Sequence, residues 1–144
     1  MFKDADEGEE AGYYPAWSYT DPKGSQDHYR WRFYVNDTLH NQVTDLLVLS
    51  DEYIDGETIA DADFLSIPPL RLGDTLTIEQ LSLSREALDF FLQLQRAAVQ
   101  TGGVLATSPD PVRANVTNLT DEQDYGLGFF GASSVVRAST IVSE

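Results

Sequence analysis

The densest run of chemically competent side chains is "DEYIDGETIADADF" at 51–64, where Asp51, Asp55, Glu57, Asp61 and Asp63 recur at short intervals. Carboxylate oxygens are the ligands that calcium prefers. Asp51, Asp55 and Gly56 fall on the first, fifth and sixth positions of a helix–loop–helix calcium loop. Tyr53 takes the third position, however, and Ala62 the last, where a bidentate glutamate belongs. The residues therefore allow an irregular calcium site built on these five carboxylates. The ordinary outcome for such a run in an acidic chain is a solvated loop.

The other candidates are thinner. His28 and His40 flank a predicted strand and its turn, with no third ligand at metal spacing, so structural or exposed histidines are expected. No nucleophile elbow and no phosphate-binding loop occurs, and no catalytic constellation assembles from spacing. A hydrolase with dispersed carboxylates would need a deep pocket with two carboxyl groups about 5–9 Å apart. The segment "GLGFFGA" at 126–132 has the G-x-G-x-x-G spacing of dinucleotide loops. That motif works only between a strand and a helix, with an acidic residue about 20 positions on. Here "SSVVRASTIV" follows, which is poor helix material, and Glu144 is too near to bind a ribose. A glycine-punctuated strand is expected there instead.

Aromatic rings crowd the N-terminal third: Tyr13, Tyr14, Trp17 and Tyr19, then Tyr29, Trp31 and Tyr34. Such rings stack on sugars or peptides when exposed, and pack strand pairs when buried. Trp31 sits in an alternating strand and is expected in the core. Trp17, with Tyr13, Tyr14 and Tyr19, is the candidate for an exposed ligand-binding row.

These residues must be positioned by a β-rich framework. "HYRWRFYV" (28–35) alternates cleanly, with Tyr29, Trp31, Phe33 and Val35 on one face. "VTDLLVLS" (43–50) is a continuous apolar run, which predicts a central strand covered on both faces. A short strand is expected near Thr58–Ile59. After a Gly-Asp turn, Leu76 and Ile78 alternate with threonines, and the apolar parity then shifts to Leu81 and Leu83. A bulge near Gln80 would account for the shift. Residues 84–101 read as a helix: Ser84 can cap it, and Gly102-Gly103 end it. Ala87, Phe90, Phe91, Leu94 and Ala98 form its apolar stripe. Residues 107–125 read as a proline-containing loop, and "SSVVRASTIV" as a last strand. The reading is mainly β: an antiparallel sandwich or open barrel with one packed helix. Residues 1–26 are expected to be an acidic and aromatic arm or linker that lays at most an edge strand on the core, and residues 27–144 a single domain.

Composition excludes several classes. Nine basic against 24 acidic residues give a net charge of −15, which repels nucleic acid and anionic membranes. Lysine is rarer than arginine, and so acidic a surface suits high salt, so the melting temperature is expected to rise between dilute buffer and molar salt. Cysteine is absent, which excludes disulfides and thiolate chemistry. No stretch approaches the roughly 18 apolar residues of a membrane span. The first residues have no apolar signal-peptide core, so any export signal is expected to lie upstream.

The order "HYRWRFYVNDTL", "DLLVLSDEYIDGETI", "LRLGDTLTIEQLSLSREALDFFLQLQ", a proline loop ending "ANV", then "GLGFFGASSV" resembles a known C-terminal region. The resemblance runs from about Tyr29 to Val142. It is to the Bacteroidota outer-membrane lipoprotein family catalogued as domain of unknown function four-two-four-nine. It implies an exported, non-enzymatic accessory or adaptor protein at the outer membrane or cell surface, associated with a TonB-dependent nutrient receptor. It implies membrane attachment through a lipid anchor carried outside this chain. It carries over no catalytic residue and no cofactor. A glycan- or peptide-binding module using exposed aromatics is the alternative.

Overall fold

The computed structural model describes residues 2–4, 10–63, 67–100, 112, 115–121 and 128–143. The strands in chain order are β1 (Phe2–Asp4), β2 (Tyr13–Thr20), β3 (His28–Val35), β4 (Thr38–His40), β5 (Leu47–Ser50), β6 (Thr58–Asp63), β7 (Thr75–Ser82) and β8 (Val135–Ile141). The helix α1 (Arg85–Gln100) lies between β7 and β8 in the chain. Pairing is antiparallel throughout. A smaller sheet has the order β1-β2-β6, and a larger one runs β4-β3-β7-β8 with β5 also on β3.

β3 organises the molecule because its alternation gives it two distinct faces. Tyr29, Trp31 and Phe33 are buried in the principal core with Ile67, Leu70, Leu76 and Val142. Phe2, Tyr13, Trp17 and Tyr19 of the smaller sheet pack against that cluster. The two sheets thus form an antiparallel sandwich, open rather than closed into a barrel. On the opposite face of β3, the Arg30 guanidinium lies 4.4 Å from the Phe91 ring centroid of α1. The helix therefore covers the outer face of the larger sheet. Ser84 Oγ accepts the Ala87 N–H at 3.2 Å, the cap its sequence position suggests.

Several expectations need correction. The 1–26 stretch does more than lay an arm or edge strand on the core: β2 is the middle strand of the smaller sheet. The apolar run 43–50 begins with a 3-10 turn at Val43–Asp45, and among the described residues β5 pairs with β3 alone. β4 and β5 lie one after the other along the same side of β3, so β5 is an edge strand, not a central one. Its apolar character comes from the helix and core that cover its faces.

No bulge interrupts β7, whose register is unbroken from Leu76 to Leu81 against both neighbours. Its parity shift has another cause. Leu76 and Ile78 lie on the face shared with Val35 and Phe33, toward the smaller sheet, whereas Leu81 shares the helix-covered face with Arg30. One regular strand serves two cores in succession. The register irregularity falls instead in the pairing of β2 with β6, between Trp17 and Tyr19. In α1, Ala87 and Leu88 are buried, while Ala98 is exposed and lies outside the packed stripe. Most of the predicted loop 107–125 lies outside the described residues.

Candidate functional site

Two of the five candidate calcium ligands come together, and they are joined by a residue that spacing does not reveal. Asp21, Asp51 and Asp55 each offer a carboxylate oxygen within 4.8 Å of the others. Asp21 and Asp51 are each 2% exposed. Asp21 follows β2, while Asp51 and Asp55 both lie in the connection between β5 and β6, so two separated segments converge. Glu57 is exposed, and its backbone carbonyl accepts the Asp21 N–H at 3.0 Å. Asp61 and Asp63 lie on β6, and their side chains fall outside the described residues.

The carboxylates act on donors of the protein itself. Asp21 Oδ1 accepts the hydroxyls of Tyr19 and Tyr29 at 3.0 and 2.9 Å, and Oδ2 accepts the Gly56 N–H at 3.2 Å. Asp51 Oδ2 accepts the Asp27 N–H at 2.7 Å, while the Asp51 N–H donates to the Asp27 carbonyl. The Gly24 N–H donates to Asp55 Oδ1. The cluster is a polar brace that ties the loop 21–27 to the turn 51–57. Gly56 has a φ of +76°, and a Cβ there would meet the Lys23 side chain at 3.0 Å, so glycine is required at this crossing.

Three like charges this close repel one another, and none of them has an ion-pair partner among the described residues. Asp55→Asn keeps the acceptor for Gly24 and removes one charge. It is expected to raise the melting temperature by about 1–3 °C in metal-free buffer, as read by calorimetry.

Burial raises the Tyr29 hydroxyl pKa above its ordinary value of 10.0, and the Tyr19 and Asp21 partners push it further in the same direction. Burial also raises that of Tyr19. A raised folded-state pKa means that the unfolded chain releases the proton first. The stability so gained is fully present below pH 10.0 and is lost as pH rises through and beyond it. Tyr29→Phe is expected to lower stability at neutral pH by about 1–3 kcal/mol and to flatten the alkaline decline, measured by urea unfolding against pH.

The aromatic row does not form a ligand platform. Tyr13, Trp17 and Tyr19 turn inward onto the core. The Trp17 ring lies 5.2 Å from that of Trp31, and Tyr19 lies 5.2 Å from Tyr29. Tyr14 is on the other face of β2, its hydroxyl bonded to the Glu10 carbonyl. Trp17 and Tyr19 are two residues apart and share the core side by ordinary strand alternation, the register irregularity between them being taken up by an extra residue on β6. The histidines are also separate. His28 pairs with Ser50 in register and shares a cleft with Asp51 and Asp55, whereas His40 pairs with Phe33 at the far end of β3. After Gly131 the chain enters β8, a strand where a dinucleotide loop would need a helix.

A family model described as a domain of unknown function (DUF4249) matches residues 3–139. The chain belongs to that family. No curated protein and no solved structure matches this chain.

The family match reaches into the least expected surface of the fold, β8. Every residue of β8 is exposed, Val135, Val136 and Ile141 at 49%, 67% and 61%. It pairs with β7 on one side and, among the described residues, ends the larger sheet on the other. The backbone groups of Ser134 and Val142 bond toward β7 and the turn before it. By strand alternation, those of Val135, Arg137, Ser139 and Ile141 point away from the sheet. β-Branched composition alone predicts the strand, but not that it would be left as a bare edge.

Proposed function

We propose that this chain is a non-enzymatic accessory protein of the cell envelope that docks onto a larger partner through β8. The partner is an outer-membrane TonB-dependent nutrient receptor, which adds a strand to the free edge. The observation that carries the reading is β8 itself: rich in apolar and β-branched residues, exposed along its whole length, and paired on one side among the described residues. Edge strands that have no role in association are usually blunted by lysine, proline or a bulge. β8 has none of these, and Arg137 is its single charge. In a chain of net charge −15, an edge without an acidic residue is the place where a strand of either charge can approach without repulsion. The envelope setting and the receptor rest on the resemblance to exported lipoproteins.

The experiment is affinity capture of the tagged full-length protein from gently solubilised native membranes, with Val136→Lys and Ser139→Pro variants alongside. The expected result is a receptor at stoichiometric yield with the natural chain and its loss with both variants. Proline at Ser139 removes an outward N–H, while lysine at Val136 charges the apolar face. A receptor retained by both variants would remove β8 from the interface, and a protein that comes out alone would overturn the accessory reading.

A further inference from the structure

On the helix-covered face of the larger sheet, a half-buried cation lacks a counter-charge among the described residues. Arg30 has no ion pair among the described residues, and its Nε is buried with no hydrogen-bond partner. Arg32 on the same face also has an unpartnered Nε, but it pairs with Glu79 at 2.7 Å, and Arg137 lies over the Tyr34 ring, so the missing ion pair is what sets Arg30 apart from Arg32. What holds Arg30 is the face of Phe91, which attracts a guanidinium but does not neutralise it. A desolvated guanidinium is costly without an anion, and the pKa of Arg30 is lowered, first by burial and then by Arg32.

Arg30 lines a groove of about 480 Å³ between α1, β7 and the segment 129–133. The other walls are largely apolar: Leu81, Leu83, Ala87, Phe91, Phe129 and Phe130. Phe129 stacks on Phe90 with ring centroids 5.3 Å apart. The Asn115 side chain accepts the Phe130 N–H and donates to the Phe130 carbonyl, at 2.8 and 2.6 Å, so this wall is fastened at its backbone. The Phe130 ring lines the groove and is 79% exposed, so its face is open to an occupant. A volume of this size, mostly apolar walls and a few charged groups, here Arg30 with Glu86 at the helix start, are the marks of a small-molecule site.

We propose that this groove binds a small amphipathic monocarboxylate, with the anionic head on the Arg30 guanidinium and the apolar body against Phe91, Phe129 and Phe130. The planar fork of arginine matches a carboxylate, which would give this half-buried cation the counter-charge it lacks among the described residues. The first turn of α1 lines the same groove and adds its positive dipole end. Glu86, also on the wall, sets an upper limit of one negative charge on the ligand. The site is independent of docking at β8 and stands or falls apart from it.

The test is calorimetric titration of the full chain with 4-phenylbutyrate and, separately, with the neutral 4-phenylbutanol. Buffer at roughly 0.15 M salt screens the long-range charge of the protein. The acid is expected to bind with a dissociation constant of about 0.1–1 mM. The alcohol, and the acid on Arg30→Met, are expected to bind about tenfold more weakly or worse. Phe130→Ala, at an exposed position, is expected to weaken the acid severalfold with the melting temperature unchanged. If Arg30→Met does not fold, the acid-to-alcohol ratio on the natural chain and the Phe130→Ala titration decide the question. No heat with the acid, or equal affinity for acid and alcohol, would overturn the proposal.

Discussion

Asp21→Ala is expected to lower the unfolding free energy by about 3–4 kcal/mol, because it strips a buried acceptor from three donors at once. The Tyr29 hydroxyl sits in the core edge with Asp21 as its hydrogen-bond partner, and the ring is 8% exposed. Tyr19 and the Gly56 N–H lose their acceptor in the same step. The loss is greater than that of one hydrogen bond because donors left in a dry site keep their desolvation cost. Asp21→Asn separates charge from shape. Its remaining oxygen still serves the tyrosines, but its amide turns a donor toward the Gly56 donor, and the expected loss is about 1–2 kcal/mol. Urea unfolding with an unchanged slope checks both values. A loss under about 1 kcal/mol for Asp21→Ala would show that water replaces the carboxylate, and the brace would then be a surface feature.

Trp31→Ala is expected to cost about 3–5 kcal/mol, the range for deleting a large ring from a packed core. Trp31 is 3% exposed and touches both sheets: Tyr29 beside it on β3, and Trp17 and Tyr19 across from it on β2. Without it the smaller sheet loses its main purchase on the larger one, and neighbouring rings cannot close so wide a gap. Trp31→Phe keeps a ring in place and is expected to cost about 1–2 kcal/mol. Trp17→Ala is the informative companion. A half-buried core ring predicts a loss of about 2 kcal/mol in stability and no change in affinity for glycans. A glycan affinity that fell while stability held would return Trp17 to the role of an exposed binding ring.

The candidate site was only partly legible before folding. Asp51 and Asp55 stand out because their run is acidic and spaced like a calcium loop. Asp21 does not, because "TDPKGSQD" has the composition of a linker. Its function as an acceptor is created by Tyr19, Tyr29 and Gly56, and Tyr29 and Gly56 come from other segments. Arg30 is similarly silent: in "HYRWRFYV" both arginines read as the wetter face, and nothing local distinguishes the paired one from the unpaired one. The parity of β7 suggests a bulge near Gln80, yet the strand is regular, and the reason is definite. Parity reports which residues share a face, and it changes meaning when each face is covered by a different layer.

The sequence by itself determined the elements: the alternating strand at 28–35, the capped helix after β7, the β-branched strand near the C-terminus, and hence a mainly β antiparallel fold, sandwich or open barrel, with a packed helix. Those signals are local, since periodicities of two and 3.6 residues and the chemistry of caps act within a few residues. The tertiary structure alone decided which strand became an edge, which aromatic face turned inward, which carboxylates met and which arginine was left without a partner. Each of these depends on contacts between segments distant in the chain, where burial and pairing are settled by what lies across the gap and not by the residue's own neighbours.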